Sequence, residues 1–250
     1  MMNRTSIRVF FTFELGILII LFAVLPDSPI APRAAALTNP CALDPNNLII
    51  NGSMKAANPD DGVADHWNKF VVSGDPTFEH VDNEQIDPYG SQYIWADIST
   101  FDSGIYQTVS GLTPGAYYHF WWGYALAAHD PGTGQNIRTN LIGRVLGMDL
   151  TGGFDPTSPN VVWGNVFWNG QAALNISALS WTFPAQTSRA TFFLRNINTD
   201  TTGRNKVWMD SICMEPTNPP AVTPRVFLPM VFNSSPSQGA APTVSPGSAP

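Results

Sequence analysis

Between Asn47 and Glu215, short runs of β-branched and aromatic residues alternate with clusters of Gly, Pro, Asn and Asp. Period-two spacing predicts strands at Leu48–Asn51, Lys69–Ser73, Thr77–Val81, Gln92–Asp97, Gly104–Val109, Ala116–Leu126, Leu141–Met148, Val161–Trp163, Ala178–Phe183, Ala190–Ile197 and Val207–Met214. No stretch keeps a 3.6-residue period for three turns, and there is no internal repeat. In the most aromatic segment, one parity holds Tyr118, Phe120, Trp122, Tyr124 and Leu126, and the other holds Tyr117, His119, Trp121 and Gly123. Such a strand is either buried between two layers or shows a sticky face to solvent. Thr113-Pro114-Gly115 has the chemistry of a type II turn, and Asp130-Pro131-Gly132 is similar. Many short strands joined by such turns predict an all-β sandwich or jelly roll.

The two ends have a different character. In residues 1–36, Arg4 and Arg8 precede an unbroken apolar run from Leu15 to Leu25, and Ala34-Ala35-Ala36 follows. This is the pattern of a cleaved export signal, with an uncleaved N-terminal anchor as the alternative. The run falls well short of the ~20 residues needed to span a bilayer, so no transmembrane anchor is expected after cleavage. Residues 37–46 lead into the domain at 47–216, and 217–250 form a Pro/Ser-rich tail. From Pro216 to Pro250 there are nine prolines in 35 residues, a composition that predicts an extended, disordered tail. Arg225–Phe232 interrupts it. That island resembles a short Arg-Val-Tyr-Leu-Pro-Leu-Val element of secreted proteins in filamentous bacteria. It is read either as a patch docking on the domain or as an element attaching the protein to a cell surface.

Composition narrows the classes. Charged residues make up 12% of the 250, beside 22 Pro, 20 Gly and eight Trp, which describes a secreted or cell-surface β protein. The net charge is −7, and removal of residues 1–36 leaves 9 basic and 17 acidic residues, or −8. Nucleic acid is excluded as a partner, because binding phosphates takes clustered Lys and Arg. A neutral ligand or a cation suits this surface better. The two cysteines, Cys41 and Cys213, stand at opposite ends of the domain. In an oxidising compartment a bridge between them would close a long loop, worth at most roughly 5 kcal/mol. Two unpaired thiols are the alternative.

Five segments carry a family resemblance. Asn47-Leu48-Ile49-Ile50-Asn51-Gly52-Ser53-Met54 resembles the opening strand of CenC-type carbohydrate-binding modules, and His66-Trp67 stands where those modules place a tryptophan. Gly90-Ser91-Gln92-Tyr93 resembles a second strand of theirs. Gln107-Thr108-Val109-Ser110-Gly111-Leu112-Thr113-Pro114-Gly115-Ala116-Tyr117-Tyr118-His119-Phe120 follows the family's Gln-x-Val-x-Gly-Leu-x-Pro-Gly-x-x-Tyr-x-Phe pattern. Val207-Trp208-Met209-Asp210-Ser211-Ile212 resembles its closing strand. The resemblance implies a galactose-binding-like jelly-roll β-sandwich. A further segment, Gly147 to Trp163, is similar to one in exported bacterial relatives; its Gly152-Gly153 turn with Asp149 and Asp155 predicts a loop ordered by side-chain-to-backbone bonds.

The same resemblance implies binding of a neutral polysaccharide or glycan without chemical turnover. Sugars are held by flat aromatic faces and by amides or carboxylates. Aromatics outside the expected core parity give the candidate set Tyr117, His119, Trp121, Trp163 and Trp168, with Asn165 and Asn169 flanking Trp168. A structural calcium is also implied, with Asp210 as a ligand. Lys55 occupies the position of the expected Glu, so that site is either lost or rebuilt, from Asp60, Asp61 and Asp65 or from Asp82, Glu84 and Asp87. No nucleophile elbow, zinc helix or phosphate loop is present, so no catalytic residue is assigned. A structural or adhesive surface module that binds protein is the main alternative to a glycan binder, and a hydrolase with an exposed carboxylate pair is the third reading.

Overall fold

Strand follows strand through the whole domain in the computed structural model, which describes residues 44–57, 60–82, 90–170 and 177–220. The export segment, Cys41, Glu84, Asp87 and the tail beyond 220, including Arg225–Phe232, lie outside the described residues. Among the described residues eleven strands are formed: β1 Asn68–Ser73, β2 Thr77–Val81, β3 Ser91–Asp97, β4 Phe101–Ser110, β5 Tyr117–Asp130, β6 Ile137–Arg138, β7 Ile142–Asp149, β8 Val162–Trp163, β9 Ser180–Pro184, β10 Arg189–Asn198 and β11 Arg204–Thr217. They make two antiparallel sheets, ordered β1-β4-β10-β7-β8 and β2-β3-β11-β5-β6, with β9 paired to β5. The chain is an all-β sandwich, as predicted.

Between the sheets lies one large apolar core, in which Ile94, Ile105, Phe120, Trp122, Leu146, Phe192, Leu194, Met209 and Ile212 are buried. Phe120 and Phe192 stack across it at 4.4 Å. Leu112 joins the core just before the turn at Pro114. There Ala116 N donates to Thr113 O and Gly115 takes a φ of 84°, as a type II turn requires. The turn after Asp130 differs from expectation. The Asp130 carboxylate, rather than its carbonyl, accepts the amides of Gly132, Thr133 and Gly134 at 2.9–3.0 Å.

Two further expectations are corrected. Leu48–Asn51 is not a strand. Asn47 Oδ1 accepts the amides of Ile49 and Met214, and Asn51, at φ 54°, accepts the Lys55 amide, so side-chain amides replace a ladder. The alternation along β5 is also not continuous. Ser211 of β11 adopts a left-handed φ of 58° opposite Gly123, and both strands exchange faces there. Tyr118, Phe120 and Trp122 therefore point into the main core. Tyr124 and Leu126 instead join Tyr93 and Trp208 on the outer side of the six-stranded sheet. Tyr93 stacks on Trp208 at 4.8 Å, and the Arg204 guanidinium lies 3.9 Å from the Trp95 ring while gripping Asp97 through two bonds of 2.7 Å.

Candidate functional site

β7 builds one side of the site. Its core-facing positions are Ile142, Arg144, Leu146 and Met148, and its outward positions include Gly143 and Gly147. Each glycine seats a tryptophan. A Cβ at Gly147 would stand 2.6 Å from Cε3 and 2.8 Å from Cη2 of Trp163. One at Gly143 would meet Cη2 and Cζ2 of Trp168 at 3.0 Å and clash with Val166. Bare backbone at these two places lets both indoles lie against the outer face of the five-stranded sheet. Trp163 is further held by Phe193, 5.7 Å away, and by the Arg195 guanidinium at 4.9 Å. Arg195 in turn forms a bidentate pair with Asp102.

Arg144 fixes the segment that carries Trp168. It is fully buried, and its backbone exchanges hydrogen bonds with Phe167, at 2.9 and 2.8 Å. Its guanidinium donates to Asn169 O and, at 2.6 Å, to Ala125 O on the opposite sheet, and it lies 4.9 Å from the Phe167 ring. Both neighbours of Trp168 are thus tied to one side chain that crosses the core. Burial pushes the Arg144 pKa down to about 10, which leaves it a cation at neutral pH. Beside it in register, Asn196 Oδ1 and Ser103 Oγ are buried without a protein hydrogen-bond partner, as is Arg144 Nε.

The outcome is an open cavity of about 590 Å³ where β6 meets the segment after β8, lined by Arg138, Thr139, Asn140, Trp168, Asn169 and Gly170. Gly170 packs so closely on Thr139 that a Cβ would stand 2.5 Å from the Thr139 amide nitrogen. Trp168 is 39% exposed and presents one aromatic surface to this space. No carboxylate lines the cavity among the described residues. A flat ring bordered by two carboxamides, a hydroxyl and a guanidinium can stack on an apolar ring face and hydrogen-bond to its polar edge.

The predicted set divides between two surfaces. Trp168 and Asn169 line the cavity, Asn165 is exposed on the same segment, and Trp163 is seated further along β7. Tyr117, His119 and Trp121 lie on the outer face of the six-stranded sheet, beside β9. There His119 stacks on Trp121 at 4.6 Å and shares a 2.7 Å hydrogen bond with Ser180 Oγ. The depression beside Trp121 measures about 20 Å³, against about 590 Å³ at Trp168. Arg138, Asn140 and Arg144 were not among the predicted residues. A third opening, about 480 Å³, is bordered by Asp97, Asp130 and Arg204, whose charges already pair with one another or with Lys206 and loop amides.

The Gly152-Gly153 loop is ordered as expected, with Asp149 and Asp155 accepting both the amide and the hydroxyl of Thr151 and Thr157. Asp210 is fully buried and accepts the Ser211 amide at 2.6 Å. Among the described residues no group of three His, Cys, Asp or Glu stands close enough together to hold a metal ion. Cys213 is disulfide-bonded; Cys41 lies outside the described residues.

No protein-family model matches the chain, and no curated protein matches it. Among solved structures, the enzymatically active domain of bacteriophage CBA120 tailspike protein 4 is 14% identical at a TM-score of 0.45, over 69% of this chain and 22% of that one. TmCBM61, solved in complex with β-1,4-galactotriose, is 12% identical at 0.41, over 68% and 99%. The CBM22-1–CBM22-2 tandem of Paenibacillus barcinonensis Xyn10C is 16% identical at 0.38, over 66% and 50%. The chain thus spans about a fifth of the tailspike domain and half of the tandem. These are likenesses in outline only.

Proposed function

We propose that this protein is an exported, non-catalytic glycan-binding module whose ligand stacks on Trp168. The carrying observation is the cavity itself, an exposed indole on a rigid seat with Thr139, Asn140 and Asn169 at its border. The CenC-type motifs of the sequence support the same reading, and the export segment supports a secreted or cell-surface location. A hydroxyl-rich, largely neutral chain fits the acidic net charge better than a polyanion. The described lining offers stacking and hydrogen bonding to a bound ring.

A glycan array probed with the full chain, with calcium and again with EDTA, tests this reading. Selective glycan binding indifferent to EDTA is expected. Silence on every glycan from a folded protein refutes it and favours the structural or adhesive module. Binding lost in EDTA would assign calcium a role in the site.

A further inference from the structure

Five arginines fall within the described residues, and four are engaged. Arg144 donates to two carbonyls, Arg189 to Thr151 O, Arg195 to Asp102 and Arg204 to Asp97. The lysines are occupied as well. Lys69 donates to Asp61 O and Lys206 to Asn136 and Asp130, and Lys55 also has a partner. Arg138 stands apart. Its side chain is exposed, forms no ion pair or hydrogen bond among the described residues, and borders the Trp168 cavity.

A guanidinium is a planar fork whose donors match a carboxylate two-on-two. In a chain with an excess of acids, every other Lys and Arg among the described residues has a partner, yet the described lining of this cavity holds one cation and no anion. The long-range field opposes a dense polyanion. One carboxylate set among neutral sugars meets both conditions, because it satisfies Arg138 locally and adds little repulsion overall.

We infer that the ligand of this cavity is a glycan bearing an isolated uronate on an otherwise neutral chain, with Arg138 taking the carboxylate and Trp168 the adjoining ring. This rests on the glycan-binding reading above and names its substrate class. Arg138 is then the specificity-determining residue, while Trp168 supplies contact common to acidic and neutral sugars.

The test uses matched oligosaccharide pairs, each carrying a single glucuronate or galacturonate in one member and its carboxyl-reduced hexose in the other. Calorimetric titration of the full chain should show the acidic member of at least one pair binding about tenfold tighter or more. In Arg138→Gln the two members should become equal, with the melting temperature unchanged because the side chain supports nothing in the fold. Equal affinities within every pair that binds would overturn the inference and leave glycan binding standing. A preference for the acid that survives Arg138→Gln would overturn the role of Arg138. Failure of every member to bind would overturn this inference, and silence on the whole array as well would remove the glycan reading with it.

Discussion

Gly147→Ala probes the seat on which the outer face is built. The added methyl would sit 2.6 Å from Trp163 Cε3 and 2.8 Å from Cη2, where ordinary contacts begin near 3.4 Å. The ring cannot retreat cheaply. Phe193 and Arg195 bound it at 5.7 and 4.9 Å, and Arg195 is anchored by Asp102. Overpacking of this kind costs roughly 1–3 kcal/mol. For a domain of this size each kcal/mol shifts the melting temperature by about 2–4 °C, so a fall of roughly 2–12 °C is expected. Thermal unfolding followed by tryptophan emission reads both the loss of stability and the displaced indole. In a Trp163→Ala background the methyl meets no ring, and the same substitution should cost no more than a few tenths of a kcal/mol, a coupling of about 1 kcal/mol or more. Equal cost in the two backgrounds, or no cost in the first, would refute the claim that Gly147 is present to seat Trp163.

Arg144→Met leaves the carbonyls of Ala125 and Asn169 without their donor, at about 1–3 kcal/mol each. Thermal melts should show that loss, and titration should show glycan affinity falling more than tenfold as the Phe167–Asn169 segment loosens. Reduction of the Cys213 disulfide, for which Cys41 is the proposed partner, should lower the melting temperature by roughly 10–20 °C, taking the ~5 kcal/mol loop estimate at 2–4 °C per kcal/mol. The carboxyl of Asp97 is held below its usual 3.8 by Arg204, and that of Asp155 by Thr157. Groups depressed in the folded state stabilise it above their unfolded pKa, and that contribution disappears as pH falls through the folded value. Melting temperatures should therefore stay level from pH 7 to about 4 and drop below it; a drop already under way at pH 6 would contradict the assignment.

Much of the sandwich was legible because its signals are local. The Pro114-Gly115 turn and the apolar alternation of β3, β4 and β10 need no distant partner to be read. What escaped depends on tertiary context. Asn47 and Asn51 turn a strand-like run into a side-chain-bonded corner, because their amides meet Met214 and Lys55. The face exchange at Ser211 and Gly123 defeats period-two counting within a single strand. At the site, Trp168 and Asn169 stood out as an aromatic beside an amide. Arg138 and Asn140 did not, since a two-residue strand carries no periodicity. Arg144 sat in an apolar run and gave no hint that it ties two sheets together. The one signal that was present and unused is the pair of outward glycines at 143 and 147, four residues apart on an otherwise bulky strand.

Native affinity electrophoresis of the full chain, with soluble polysaccharides cast into the gel, tests glycan binding at Trp168 most directly. Wild type and Trp121→Ala should be retarded by the same polysaccharide, and Trp168→Ala should migrate as it does in a plain gel. Retardation that survives Trp168→Ala, or is lost only in Trp121→Ala, would contradict the account by placing the site on the other sheet.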